Sequence, residues 1–258
     1  MNITIEQLVR MIDHTLLKNT AVKKDIELLC SQALEYSFAT VCVHPFYVGI
    51  CSSLLHRTST KVCTVIGFPH GMHKTGAKVS ETLQALHDGA QEIDMVIQVG
   101  ALLDGEKDIV WNDIRSVTDT AHQSGALVKV IIETCLLNTD QKIMAAELVA
   151  DAGADFIKTS TGKIGVAATM PVTLVMLDAI KDYYFKTGIQ VGMKPAGGIS
   201  TAKGALQYLV MLHETLGNAW LDNKWFRFGA SSLANDLILQ LEKEAKGVYY
   251  SKDYISVD

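Results

Sequence analysis

Eight short apolar segments, alternating with longer segments of helical periodicity, constrain the fold of this 258-residue chain more than any other feature. Strands that alternate with helices favour parallel βαβ units, and eight strands in about 250 residues is the count of a TIM (β/α)8 barrel. An open doubly wound sheet usually has fewer strands, and no GxGxxG motif follows the first one. The predicted strands are RMIDHTL, FATVCVH, KVCTVIGF, QEIDMVIQV, ALVKVIIET, DFIKTS, IQVGMKP and KWFRFGA. The predicted helices include 20–36, 76–88, 107–123, 139–152, 171–186, 201–216 and about 232–246.

We expect a single α/β domain, because no Pro-, Gly- or Ser-rich linker divides the chain. The predicted barrel covers residues 1–246, including a short N-terminal helix, and residues 247–258 are predicted to form a C-terminal tail. Polar residues that precede the helical segments predict N-caps at Thr20, at Thr139 and at Ser200 or Thr201.

The composition argues against several classes of function. With 48% hydrophobic and 20% charged residues, the chain is typical of a globular protein with a substantial core. A net charge of −5 without a basic stripe argues against a nucleic-acid partner. No apolar segment approaches the roughly 20 residues that span a bilayer, and the N-terminus lacks an export signal, so no membrane partner is expected. Five scattered cysteines without a CxxC pair are typical of reduced thiols in a cytoplasmic protein.

Two lysines end two of the late strands and are the strongest functional signal. Lys158 and Lys194 each follow apolar strand residues and precede a turn that contains glycine. Burying an ammonium group is costly unless it is paired or loses its proton. If strand residues alternate between the two faces, both lysines point into the barrel. There they would meet Asp94, Lys129 and Glu133 from the fourth and fifth strands; for Lys129 and Glu133, a structural ion-pair network is an equally good interpretation.

A pair of neighbouring lysines favours carbonyl chemistry. A lysine attacks a carbonyl at neutral pH only if its proton is easily removed, and both burial and a neighbouring cation lower an amine pKa. We therefore expect one of the two lysines to be a nucleophile, with Asp94 relaying protons.

Glycine-containing turns after the sixth, seventh and eighth strands predict a phosphate site, although ordinary tight turns are the alternative. Loops at the carboxyl ends of barrel strands form the active site, and phosphate often binds around strands seven and eight. Backbone N–H groups in such turns, and at a helix N-terminus, are ready-made donors to an anion. The residues predicted to form this site are Gly162, Lys163, Gly197, Gly198, Gly229, Ser231 and Ser232.

A set of motifs resembles the deoxyribose-phosphate aldolase family. They run in order from about residue 11 to 233: IDHTLL, VCVHP, VIGFPHG, EIDMVI, VKVIIET, DFIKTSTG, KPAGGIS and RFGASSL. The resemblance implies a class I aldolase with a TIM barrel that interconverts 2-deoxy-D-ribose 5-phosphate with acetaldehyde and D-glyceraldehyde 3-phosphate. It also implies that Lys158 forms the Schiff base and that Lys194 and Asp94 handle the proton.

The same resemblance implies further properties of the site and the protein. Asp13 and Thr15 on the first strand match a substrate-side polar pair, and Thr161 is expected to contact the sugar. The resemblance also implies no metal or organic cofactor, a sugar phosphate as the small-molecule partner, a homodimer and a role in the breakdown of deoxynucleosides.

Several alternatives remain open at the level of the sequence. The chain could be a Schiff-base barrel for another phosphosugar, similar to a transaldolase, or a barrel that binds a phosphosugar without catalysis. His70 and His73 form an HxxH pattern, but a catalytic zinc usually takes three protein ligands. Relatives of this size can carry a terminal tyrosine that reaches the site. In this chain four residues follow Tyr254, so we expect a solvated tail instead.

Overall fold

Eight parallel strands form one sheet in the computed structural model, which describes residues 3–165 and 168–247. The strands are β1 (Ile12–Leu16), β2 (Thr40–Val43), β3 (Lys61–Ile66), β4 (Glu92–Val96), β5 (Leu127–Ile131), β6 (Phe156–Lys158), β7 (Gly192–Lys194) and β8 (Phe228–Ala230). Each strand pairs with the next along the chain from β1 to β7, and β8 pairs with β1. The TIM barrel predicted from the sequence is confirmed.

The ring is completed between β7 and β8 by isolated bridges rather than by a regular ladder. The bridges join Met193 to Phe226 and Ala196 to Gly229. Three backbone hydrogen bonds cross this junction: Met193 N to Trp225 O (2.8 Å), Arg227 N to Met193 O (3.1 Å) and Gly229 N to Pro195 O (3.0 Å).

The helices between the strands pack on the outside of the barrel. The described residues include α1 (Ile5–Val9), α2 (Lys23–Glu35), α3 (Val48–Leu54), α4 (Thr75–His87), α5 (Val99–Leu103), α6 (Lys107–His122), α7 (Thr139–Asp151), α8 (Met170–Thr187), α9 (Ala202–Leu216) and α10 (Ser232–Lys246). The seven predicted helices all form, and the short helices α3 and α5 are additions to them. Helix α1 is the predicted short N-terminal helix.

Two of the predicted helix caps are wrong. Thr201 does cap α9, since its side chain accepts a hydrogen bond from Gly204 N. Thr139, however, is already the first residue of α7, and Asn138 is its cap. The N-cap of α2 is Val22 rather than Thr20, and the Val22 N–H donates to the Asp25 carboxylate at 2.9 Å. In both cases the side chain three residues into the helix completes the cap.

Alternation along the strands divides apolar from charged side chains. On β4, Ile93 and Met95 are buried in the main hydrophobic cluster between the sheet and the helices. The intervening residues Glu92 and Asp94 are also buried, but their carboxylates pair with cations from other strands. The fold therefore holds a polar group of side chains inside the barrel and an apolar layer outside it.

Residues 1–2, 166–167 and 248–258 lie outside the described residues. The predicted tail, with Tyr249, Tyr250 and Tyr254, falls there except for Gly247, and the division into barrel and tail stays a prediction. No helix within the described ranges combines the length and apolarity needed to cross a membrane.

Candidate active site

Seven buried charged side chains form one ion-paired group inside the barrel, which we call the charged cluster. They come from β1, β4, β5, β6, β7 and the residue before β8. The group contains three carboxylates and four cations: Asp13, Glu92, Asp94, Lys129, Lys158, Lys194 and Arg227. With every group charged, the cations exceed the carboxylates by one, so loss of a single proton leaves the cluster neutral.

Asp94 lies at the centre of the charged cluster. Its Oδ2 accepts hydrogen bonds from Lys158 Nζ at 2.6 Å and from Lys194 Nζ at 2.8 Å. Its Oδ1 accepts from Lys129 Nζ at 3.0 Å and from the Cys63 thiol at 3.2 Å. Burial alone would raise the pKa of Asp94, but the three surrounding ammonium groups hold that pKa well below its usual range. Asp94 is therefore an ionised acceptor shared by three lysines.

Lys194 is surrounded by carboxylates rather than by cations. Its Nζ lies 2.5 Å from Asp13 Oδ2 and 2.8 Å from Asp94 Oδ2. Burial alone would lower the pKa of Lys194, but attraction to Asp13 and Asp94 raises it above its usual value. The neighbouring cation Lys129 does lower the pKa of Lys194, as expected for paired lysines, but the two carboxylates in direct contact outweigh it.

Arg227 forms ion pairs with two of the three carboxylates of the charged cluster, and it was not among the residues predicted from the sequence. Its guanidinium contacts Asp13 Oδ1 at 2.7 Å and Glu92 Oε1 at 3.1 Å. Glu92 Oε2 in turn lies 2.5 Å from Lys129 Nζ. Lys129 therefore belongs to a structural ion-pair network, one of the two interpretations that the sequence left open. Alternation with Gly229 was a signal in the sequence that Arg227 faces the interior.

Lys158 connects the charged cluster to a pocket at the carboxyl ends of the strands. Of the seven cluster residues it alone lines this pocket, which has a volume of about 200 Å³. Within the described chain it has a single ion pair, with Asp94. The lining residues are Thr15, Leu17, Lys18, Lys158, Thr161, Gly162, Lys163, Ala196, Gly197, Gly229, Ala230 and Ser231. An amine at the floor of an open pocket, beside a fixed carboxylate, can reach a carbonyl of a bound molecule.

The structure brings most of the predicted site residues to this pocket. Eight of them line it: Thr15, Lys158, Thr161, Gly162, Lys163, Gly197, Gly229 and Ser231. Lys194, Asp94 and Asp13 are buried in the cluster behind Lys158. Gly198 and Ser232 follow lining residues in the chain but do not line the pocket themselves.

Gly229 has a steric role in the site. A Cβ at this position would lie 2.8 Å from Ala196 Cβ and 3.1 Å from Lys194 Cε. The absence of a side chain therefore leaves room for the Lys194 stem to extend towards Asp94.

The histidine pair does not belong to the group of three metal-type ligands found among the described residues. His70 and His73 are both exposed. The group of metal-type ligands found among the described residues is instead Cys42, Cys63 and Asp94, with ligand atoms within 4.8 Å of one another. Asp94 already contacts three ammonium groups, whose charge opposes a bound cation.

Comparisons with known proteins agree on one family. A family model described as DeoC/LacD family aldolase matches residues 8–237. Deoxyribose-phosphate aldolase 1 of Bacillus licheniformis is 49% identical over 201 residues, which are 78% of this chain and 86% of that protein. Deoxyribose-phosphate aldolase of Caldicellulosiruptor saccharolyticus is 44% identical over 207 residues, or 80% of this chain and 91% of that protein. The solved structure of deoxyribose phosphate aldolase from Aeropyrum pernix, described as a unique tetramer, has a TM-score of 0.74 and 28% identity, and covers 95% of this chain and 94% of its own.

Proposed function

The chain belongs to the DeoC/LacD aldolase family, and from this membership we infer that it is a deoxyribose-phosphate aldolase. It cleaves 2-deoxy-D-ribose 5-phosphate reversibly to acetaldehyde and D-glyceraldehyde 3-phosphate through a lysine Schiff base. This is the reaction of an aldehyde-lyase, and its place is in the breakdown of deoxynucleosides.

We propose that Lys158 forms the Schiff base. One observation supports this choice over the neighbouring lysine: Lys158 lines the pocket, whereas Lys194 is fully buried between two carboxylates. Loss of a proton from Lys158 also leaves the remaining cluster with three cations and three carboxylates. An uncharged Lys158 is therefore compatible with the buried surroundings.

The reaction then follows from the chemistry of an iminium ion. The Lys158 amine attacks the C1 aldehyde of the open sugar, and loss of water gives the iminium. As the C3 hydroxyl loses its proton, the C2–C3 bonding electrons move towards the iminium nitrogen, giving an enamine and releasing the glyceraldehyde phosphate. Protonation of the enamine at C2 regenerates the iminium, and hydrolysis releases acetaldehyde and the free amine.

Asp94 and Lys194 are proposed to move the proton during these steps. Asp94 Oδ2 contacts both Lys158 Nζ and Lys194 Nζ. The carboxylate therefore links the amine that reacts to the second lysine of the relay. Proton transfer between these two residues, Asp94 and Lys194, and the C3 hydroxyl or C2 of the substrate is proposed to pass through a water molecule.

The glycine turns are proposed to hold the phosphate, with polar residues of β1 and β6 on the sugar side. Backbone N–H groups in these turns can donate to phosphate oxygens, and Ser231 lies at the start of α10. The proposed phosphate ligands are Gly162, Lys163, Gly197, Gly198, Gly229, Ser231 and Ser232. Asp13, Thr15 and Thr161 are proposed for the sugar side.

We also propose a cytoplasmic homodimer. Support for assembly comes from exposed apolar side chains on α8 and α9: Leu174, Leu206 and Val210 are each at least 40% exposed. Analytical ultracentrifugation at several concentrations tests the assembly, and a sedimenting monomer at micromolar concentration would refute it.

Borohydride trapping with deoxyribose 5-phosphate tests the function and the position of the nucleophile together. Borohydride reduces the iminium to a stable amine, and peptide mapping identifies the modified lysine. We expect the adduct on Lys158, and none on a Lys158→Arg variant, which keeps the charge of the cluster but cannot form the iminium. An adduct on Lys194 would reverse the assignment of the two lysines. No adduct on folded protein that binds the sugar phosphate would refute the aldolase mechanism.

A further inference from the structure

Glu133, two residues beyond β5, has an unusual backbone conformation. Its φ is +53° and its ψ is +62°, in the left-handed region that side chains other than glycine rarely adopt. Such a conformation persists only where surrounding contacts fix it, and it is often found next to functional sites. Glu133 lies two residues after the end of β5, the strand that supplies Lys129 to the charged cluster.

The Glu133 carboxylate is buried but is not part of the charged cluster. It is 2% exposed, and no cation within the described parts of the chain lies within ion-pair distance of it. Hydrogen bonds compensate its burial instead: three come from Thr161, and the Cys135 thiol adds a weak one to Oε1 at 3.9 Å. Thr161 N donates to both carboxylate oxygens at 3.2 and 3.3 Å, and Thr161 Oγ1 donates to Oε2 at 2.5 Å. Donors to an ionised acceptor form the stronger class of hydrogen bond.

These bonds fix the turn that follows Lys158. Because the Thr161 hydroxyl donates to Glu133, its oxygen is oriented to accept from the next donor, and Lys163 N lies 3.1 Å from it. The Lys163 ammonium then crosses the mouth of the barrel and donates to Leu17 O at 2.6 Å. A continuous set of contacts therefore runs from β5, through the turn after β6, to the loop after β1.

We propose that Glu133 is a positioning residue for the phosphate end of the substrate. Through Thr161 it holds Gly162 and Lys163 in the orientation that faces a bound phosphate, without contacting the substrate itself. This inference rests on the proposed function, because it assumes a phosphorylated sugar in the pocket. Its effect is on recognition of the phosphate rather than on the chemistry at Lys158.

The Glu133→Gln variant tests this role with two substrates. A carboxamide has the size of the carboxylate but only one acceptor oxygen, so its NH2 group must face one of the Thr161 donors. We measure kcat and KM for 2-deoxyribose 5-phosphate and for unphosphorylated 2-deoxyribose. We expect the ratio of kcat/KM between the two sugars to fall on the order of tenfold, mainly through KM for the phosphorylated sugar. An equal loss for both sugars, or no loss, would overturn the proposal.

Two further variants make the result specific. Asp113→Asn is the matched control, since it changes a fully buried carboxylate that bonds to Thr75 and Lys78 away from the pocket. We expect it to lower stability and to leave the substrate ratio unchanged. In a Lys163→Met background, Glu133→Gln should change the ratio no further, because both act on the same turn.

The remaining outcomes separate the two proposals. If Glu133→Gln does not fold, Thr161→Val is the alternative variant. It removes the hydroxyl that donates to Glu133 and keeps the Thr161 backbone N–H. A substrate ratio like that of the wild type would then overturn the role of Glu133. If the wild-type protein does not cleave deoxyribose 5-phosphate, the proposed function itself fails. If it does, and the ratio is insensitive to Glu133, only the positioning role fails.

Discussion

Lys158 and Lys194 show how the surroundings differentiate two identical residues. They are register partners on adjacent strands, yet one contacts a single carboxylate and a pocket while the other contacts two carboxylates. Strand alternation predicted that both point inward together with Asp94. It did not predict which carboxylate meets which cation, because those contacts join strands across the barrel axis, and alternation does not specify the distances there. Arg227 was missed although alternation with Gly229 points it inward; its partner Asp13 lies on the neighbouring strand β1, and its partner Glu92 lies across the barrel on β4.

Arg227→Met tests how far the stability of the charged cluster depends on the Arg227 guanidinium. The variant leaves Asp13 and Glu92 without their guanidinium partner, and breaking a buried pair in this way costs about 3–5 kcal/mol. We expect the free energy of unfolding in urea to fall by that amount, and Arg227→Lys to restore part of it. A loss below about 1 kcal/mol would indicate that water or the remaining lysines compensate the two carboxylates.

The pKa shifts in the charged cluster predict that its contribution to the free energy of unfolding is constant over a broad range of pH. The folded-state pKa of Asp94 lies well below the unfolded value, so its contribution is complete above about pH 4 and is lost as the pH falls towards the folded pKa. The pKa of Lys194 is raised, so its contribution is complete below about pH 10 and is lost only above that. The difference in unfolding free energy between wild type and Asp94→Asn should therefore be constant from about pH 5 to 9. This difference should shrink below about pH 4. A change of the difference with pH near neutrality would contradict the directions of the two pKa shifts.

At the scale of elements, the sequence predicted the type of each long element better than its ends. The predicted cap of α7, Thr139, lies one residue after the true cap, Asn138. Both residues are suitable caps, and only the backbone conformation distinguishes them. Helices α3 and α5 have 7 and 5 residues, too few for a helical period to stand out. The turns were predicted from glycine, but the strained Glu133 that supports one of them carries no sequence signal of its own.

Gly229 and Gly76 form a matched pair that separates steric fit from helix propensity. Gly229→Ala places a methyl group against Ala196 and the Lys194 stem, so we expect a loss of about 1–3 kcal/mol and a lower kcat. Gly76→Ala, in the first turn of α4, meets nothing within 4 Å and should be neutral or stabilising by up to about 1 kcal/mol. Urea unfolding and steady-state kinetics measure both. Equal effects at the two positions would contradict the steric role of Gly229.

At the scale of the whole molecule, the barrel was predictable but its closure was not. The count and order of strands and helices led directly to the TIM barrel. Which pair of strands has the weaker junction depends on the length of β7 and β8, and each has only three residues. The predicted strands there were more than twice as long, because apolar residues continue beyond the regular pairing.

Hydrogen exchange should locate this weaker junction. The amides of Met193, Arg227 and Gly229 bridge β7 and β8 without a regular ladder around them. We expect them to exchange faster than the amides between β3 and β4, which have four register pairs. Equal protection at both places would indicate that the barrel opens only as a whole.

The junction between β7 and β8 lies beneath the turns that carry Gly197 and Ser231. A phosphate held between these turns, as proposed, joins the two strands at the place where few backbone hydrogen bonds do so. Ligand binding of this kind stabilises the native state in proportion to the logarithm of ligand concentration. Proteases in a cell act on transiently opened protein, so the enzyme would be degraded more slowly while its sugar phosphate is abundant. The supply of substrate would then influence how long each copy of the enzyme survives.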